Sequence, residues 1–208
     1  MKIKICGLTK RENIEELVQL NPDYLGFIFY PGSPRFINGK LTPADMESIA
    51  GNIPRVGVFV NASFDEISGS FRRYNLDYVQ LHGSESPEFC KQLDDSGIEV
   101  IKAFSLDDAF DFNRLMEYVP FTRFFLFDTQ TELPGGSGRK FNWKILENYP
   151  LAHPFLLSGG IGPDDAAEVL SLQHPALWGV DLNSRFEISP GIKDIAKLKD
   201  FIQTIRAK

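Results

Sequence analysis

Two residues carry chemistry most directly. Cys6 closes the alternating run KIKIC just before Gly7, and Asp128 closes RFFLFDT directly after FFLF. A thiol whose pKa is lowered by a neighbour or a helix end can act as a base. A carboxylate abutting an apolar run is costly to bury without a partner or a task. Across one cavity the two form an acid–base pair, with burial keeping the carboxyl protonated while the thiol ionises. Each also has a plainer reading: Cys6 as a small buried hydrophobe, Asp128 as the cap of the following loop. Cys90 takes the plain reading, since it falls inside a helical stretch near Phe89 and Leu93.

Other segments suit an anionic ligand. SGGIGPDDA supplies Ser158, Gly159 and Gly160, and glycines let the backbone approach a ligand closely. VDLNSRFE ends a further strand. In a barrel the loops after strands seven and eight form the usual phosphate site, with amides aimed at the anion. Arg35, in YPGSPRF, is either a solvated charge or a bidentate clamp on a carboxylate. His82, in QLHG, reads as a polar wall residue before it reads as a base. His153 and His174 each precede a proline and receive no role, and three scattered histidines give no metal set. The run Thr129–Lys140, with Gly135, Gly136 and Gly138, reads as a lid over the site or as a surface loop.

The elements that must position these residues alternate strand and helix. Strands are expected at KIKIC, YLGFIF, RVGVFVN, LDYVQLHG, IEVIKAFS, RFFLFDT, HPFLLSGG and LWGVDLNS. YLGFIF is continuously apolar, as strands buried on both faces are. Helices are expected from Thr9, as N-cap, to about Leu20, then from Thr42-Pro43, from Ser63 to Arg73 and from Ser86-Pro87 to Asp95. Four more follow, over Leu106–Tyr118, Asn142–Asn148, Pro163–Leu172 and Lys193–Ile205. Strand ends recur about every 25 residues, so eight strand–helix units build a parallel sheet with right-handed crossovers. This is an α/β chain, and eight uninterrupted units predict a (β/α)8 TIM barrel over residues 1–208 as a single domain. An open doubly wound sheet would call for G-x-G-x-x-G after the first strand, where CGLTKREN stands.

Composition narrows the classes. The chain has 208 residues, 43% hydrophobic and 24% charged, which excludes intrinsic disorder. No apolar run reaches the roughly 18 residues of a membrane helix, and MKIKICGLTK lacks a secretory apolar stretch. A net charge of −6 argues against nucleic acid and anionic membrane as partners. Two distant cysteines fit a reducing, cytoplasmic setting.

The segments KICGLT, GFIFYPGSPRFI, VGVFVN, VQLHGSE, FDT…GGSGRKFNW, LSGGI and VDLNSRFE…PGIKD occur in an order that resembles the phosphoribosylanthranilate isomerases of tryptophan biosynthesis. The resemblance spans essentially the whole chain. KICGLT with QLHG is specific, whereas LSGG alone is shared by many phosphate-binding barrels. It implies an Amadori rearrangement of N-(5-phosphoribosyl)anthranilate to 1-(2-carboxyphenylamino)-1-deoxyribulose 5-phosphate, with Cys6 as general base and Asp128 as general acid. It further implies that Arg35 holds the anthranilate carboxylate. Gly159, Gly160 and the Asn183-Ser184 segment would hold the phosphate, and Gln80 and Asp181 would line the pocket. The substrate is a small sugar phosphate. No hydride or electron leaves, so neither cofactor nor metal is implied, and other tryptophan-pathway enzymes are admitted as partners.

One departure stands out. Where many members carry a glycine after the serine of the eighth loop, this chain has Arg185, which takes φ > 0 less cheaply. Two further readings stay open. One is another sugar-phosphate enzyme on the same barrel, from the histidine pathway or an indole-glycerol-phosphate synthase. For these a carboxylate at position 6 or a catalytic strand lysine is expected, and Lys102 lies two residues short of its strand's end. The other is a non-catalytic phosphate-binding barrel.

Overall fold

A computed structural model describes residues 1–107, 109–129 and 143–207. Eight parallel strands close into a barrel in sequence order: β1 (Lys2–Ile5), β2 (Tyr24–Ile28), β3 (Arg55–Phe59), β4 (Tyr78–Leu81), β5 (Val100–Leu106), β6 (Phe124–Thr129), β7 (Phe155–Leu157) and β8 (Leu177–Leu182). Closure falls between the two ends of the chain, where Lys2, Ile3, Lys4 and Ile5 of β1 pair with Gly179, Val180, Asp181 and Leu182 of β8.

The period-2 alternation of the strands sorts their side chains into two cores. Tyr24, Val56, Ile101, Ala103, Phe124, Leu126 and Leu156 fill the barrel interior as one cluster. Tyr24, Tyr78 and Phe124 meet edge-on or tilted there, at centroid distances of 5.7–5.9 Å. The neighbouring strand positions, such as Ile3, Ile5, Phe125, Phe127 and Phe155, join a larger cluster between the strands and the surrounding helices.

Helices α1 (Arg11–Val18), α2 (Pro43–Ala50), α3 (Phe64–Arg73), α4 (Pro87–Asp94), α5 (Ala166–Ser171) and α6 (Ile195–Arg206) cover that sheath. Thr42 and Ser63 each accept from the backbone N–H three residues on, completing capping boxes with Asp45 and Glu66, and Ser86 accepts from Phe89. These three starts fall where serine, threonine and proline placed them in the sequence.

Four expectations about the crossovers need correcting. Lys10, not Thr9, is the N-cap of α1, because Thr9 is buried and its hydroxyl donates to the Gly191 carbonyl at 3.0 Å. The expected Leu106–Tyr118 helix is two 3₁₀ turns, Phe112–Leu115 and Val119–Phe121. Asp111 caps the first and Pro120 stands in the opening turn of the second, while Phe104, Phe110, Phe112 and Phe127 dock edge-to-face in place of a helical stripe. Trp143–Asn148 is likewise 3₁₀. Finally, a hairpin of β9 (Glu187–Ser189) and β10 (Ile192–Lys193) stands between β8 and α6, so α6 starts at Ile195 rather than Lys193. The lid expectation for Thr129–Lys140 lies outside the described residues, apart from the strand backbone of Thr129.

Candidate active site

The strand ends at one mouth of the barrel bring the candidate residues together. Cys6 follows β1, is 3% exposed, and its N–H donates to the Leu182 carbonyl at 2.9 Å. Room for its sulfur comes from Gly26 on β2, where a Cβ would stand 2.7 Å from Sγ. Gly7, at φ +78, turns the chain so tightly that a Cβ would meet Arg35 Cδ at 2.6 Å and Asn183 Oδ1 at 2.7 Å.

Two residues before Cys6, on the same strand face, Lys4 is fully buried. Its Nζ donates to Asp181 Oδ1 at 2.9 Å across the β1–β8 seam. Burial weakens the Lys4 ammonium, yet Asp181 and Cys6 together outweigh it and lift its pKa above the ordinary value. Asp181 moves upward because of burial, against the pull of Lys4. Burial also pushes the Cys6 thiol up, while Lys4 and Lys193 draw it down and Asp181 adds to the rise.

On the opposite side of the mouth, His82 Nε2 lies 3.3 Å from Asp128 Oδ2, and both side chains are about a quarter exposed. Gln80 Nε2 stands 2.9 Å from His82 Nδ1. With the Gln80 amide so oriented, Nδ1 accepts and Nε2 carries the proton facing Asp128. Gln80 Oε1 is buried without a hydrogen-bond partner, an acceptor available to a ligand hydroxyl or amine.

Arg35 is 7% exposed and is not a solvated charge. Its Nε and Nη2 edge is occupied by Glu187, at 2.9 and 3.1 Å from Nε and 2.6 Å from Nη2. A bidentate grip on a ligand carboxylate along that edge would require Glu187 to leave it. A ligand would be met by the rest of the guanidinium. Lys193 is fully buried and donates to Glu187 Oε1 and to Asn183 Oδ1, each at 2.8 Å. Burial raises the Glu187 carboxyl, but Arg35 and Lys193 more than reverse this, and its pKa ends below the ordinary range.

The phosphate candidates line the seventh and eighth strand ends. Ser158 is buried, its N–H donating to the Phe127 carbonyl at 2.7 Å, and Gly159 and Gly160 take φ of +84 and +70. Asn183 precedes a 3₁₀ turn over Ser184–Phe186, and its side-chain oxygen is committed to Lys193. Arg185 occupies that turn at negative φ, so the arginine that replaces the usual glycine carries no left-handed strain there.

Three residues of this cluster were missed by sequence reasoning: Lys4, Glu187 and Lys193. Lys4 had a signal, since a lysine alternating with Cys6 in KIKIC must face the same way and find a carboxylate. Glu187 and Lys193 lay inside the segments VDLNSRFE and PGIKD, but no local pattern showed that the unforeseen hairpin brings them inward. Among the described residues no group of histidine, cysteine and carboxylate side chains is arranged to hold a metal ion. No described helix is long and apolar enough to cross a membrane.

The chain is similar to known proteins along its whole length. The family model for N-(5'-phosphoribosyl)anthranilate (PRA) isomerase matches residues 3–204. An N-(5'-phosphoribosyl)anthranilate isomerase of Parabacteroides distasonis is 47% identical, over 99% of this chain and 93% of that protein. One from Phocaeicola vulgatus is 40% identical, over 100% and 99%. The crystal structure of the Thermotoga maritima enzyme superposes with a TM-score of 0.85 at 33% identity, covering 100% of both chains. Another structure of such an isomerase, in complex with reduced 1-(o-carboxyphenylamino)-1-deoxyribulose 5-phosphate, gives a TM-score of 0.81 at 32% identity, again over 100% of both chains. A barrel with a buried cysteine facing an aspartate across its mouth, matched end to end in this way, belongs to the phosphoribosylanthranilate isomerase family.

Proposed function

We propose that this chain rearranges N-(5'-phosphoribosyl)anthranilate with Cys6 as general base and Asp128 as general acid. Membership of the family makes it an isomerase of tryptophan biosynthesis; the assignment of residues to roles rests on the site. The observation that carries it is the placing of a buried thiol and a carboxylate on opposite strand ends of one mouth, each with a polar neighbour that orients it.

The chemistry follows from those positions. Asp128 gives its proton to the ribose ring oxygen, and the C1–O bond breaks to leave an iminium at C1. The Cys6 thiolate then takes the proton from C2, and the electron pair moves to the iminium nitrogen to give an enolamine. Protonation at C1 and loss of the hydroxyl proton at C2 leave the ketone. Atoms and electrons balance within the substrate, so acid and base suffice.

Around this pair, Arg35 faces the anthranilate carboxylate, and Gln80 and His82 line the pocket with Asp181. Backbone amides at Gly159, Gly160 and Ser184, with Ser158 and Asn183, cradle the phosphate. As an enzyme acting on small phosphorylated metabolites the chain is placed in the cytoplasm.

The test is the fluorescence decay of substrate generated in place from anthranilate, phosphoribosyl pyrophosphate and the upstream transferase. Rapid decay with wild type, lost in both Cys6→Ser and Asp128→Asn, supports the assignment. No decay with folded wild type would overturn it in favour of a different sugar-phosphate substrate or a binding-only barrel.

A further inference from the structure

The buried charges around Cys6 do not balance. Lys4, Arg35 and Lys193 bring three cations, whereas Asp181 and Glu187 bring two carboxylates. None of the five side chains is more than 9% exposed. Lys4 pairs with Asp181, and Glu187 is shared between Arg35 and Lys193. One positive charge is left over, away from water, beside the Cys6 segment: a Cβ on Gly7 would meet Asn183 Oδ1, which accepts from Lys193, at 2.7 Å and Arg35 Cδ at 2.6 Å. His82 and Asp128 face the same mouth but are partly exposed, so solvent screens them more strongly.

Lys193 is also expensive to keep where it is. It is fully buried, burial lowers its pKa, and Glu187 only partly offsets this. Its backbone is pinned from both sides by Asn13 of α1, whose Oδ1 accepts from the Lys193 N–H at 2.6 Å and whose Nδ2 donates to the Lys193 carbonyl at 2.9 Å. An ammonium held this firmly without water needs a negative charge besides half of Glu187.

We propose that Lys193 is a positioning residue that holds Cys6 in its ionised form, and that Glu187 limits how far it does so. A Cys6 thiolate closes the charge count of the cluster. The hairpin β9–β10 is then the device that delivers both the cation and its counterweight to the base. This rests on the role proposed above for Cys6, and deepens it.

The two residues carry opposite signs, which makes the test sharp. In a Cys90→Ala background, the thiolate absorbance of the free enzyme near 240 nm is titrated against pH, with Cys6→Ser as the blank. Lys193→Met is expected to move the Cys6 titration upward by about one pH unit, a tenfold loss of thiolate at neutral pH. Glu187→Gln is expected to move it downward by a similar amount. Lys193→Arg, which keeps the charge, should restore the wild-type position. The acid limb of kcat/KM should follow each shift. Titrations that stay in place in folded variants, or that move in the same direction in both, would overturn the proposal. So would a Lys193→Met variant whose only change is a raised KM, since the charge would then serve the substrate carboxylate. Should Lys193→Met fail to fold, the sign of the Glu187→Gln shift still decides. Turnover retained in Cys6→Ser would remove the base itself, a result separate from an unmoved titration.

Discussion

At the scale of single residues, each side chain of the site answers to a different measurement. Cys6→Ser should cost several orders of magnitude in kcat while product still binds, because an alcohol is a poor base at neutral pH. Isothermal titration with product and turnover with substrate, run on the same preparation, separate the two effects. Arg35→Ala should raise KM by on the order of tenfold or more, and it should also release Glu187 from its shorter partner. An unchanged kcat/KM would take Arg35 out of the site. These residues differ in how readable they were. Cys6 and Asp128 stand at strand ends, so their placement at the mouth was legible from type and position together. Arg35 showed its location but not its partner, because Glu187 lies 152 positions away and no local pattern reports such a pairing.

Among the elements, the segment after β4 shows how a loop is held stiff. Lys102 lies between Ile101 and Ala103, which face the barrel interior, and so points outward toward α4. It is 2% exposed, and its Nζ donates to the carbonyls of Leu81, Gly83 and Ala103 and to Glu85 Oε2, at 2.9–3.3 Å. Glu85 in turn accepts from the N–H groups of Asn61 and Gly83. The residues flanking His82 are thus clamped on both sides. Lys102 is not the catalytic strand lysine expected of a related synthase; it faces away from the cavity. Glu85→Ala should destabilise the fold by about 3–5 kcal/mol, since it strands a buried ammonium, and urea unfolding would measure this. Lys102→Met together with Glu85→Leu should recover much of the loss. Strands and capped helices were legible because their signals are local: alternation, continuous apolar runs and Ser, Thr and Pro at helix starts. The 3₁₀ crossover over Phe112–Phe121 was not, because aromatic docking onto β5 and β6 decides its shape. The hairpin was missed because two short strands in EISPGIK carry too few residues for a period.

For the molecule as a whole, the buried thiol and phenol predict an alkaline arm in the pH dependence of stability. Burial pushes the Cys90 thiol up to about 12 from 9.0, and Tyr149 moves upward for the same reason. The unfolded chain releases the Cys90 proton from about pH 9, while the folded chain keeps it. Stability present below that pH is therefore lost as the pH rises toward 12. Cys90→Val should flatten this arm by up to about 1.4 kcal/mol per pH unit, read by urea midpoints between pH 8 and 11. A parallel pair of curves would show that the thiol is not held protonated by the fold.

The seam between β1 and β8 has a consequence in time. Lys4 is synthesised 177 residues before its partner Asp181, and Glu187 and Lys193 come later still. Until those arrive, Cys6 lacks its electrostatic surroundings and Lys4 its counter-ion. Catalytic competence is thus expected only after β8 and the hairpin have been made: a nascent chain stalled before Lys193 should be silent, and turnover regained on release would clock the moment the barrel shuts.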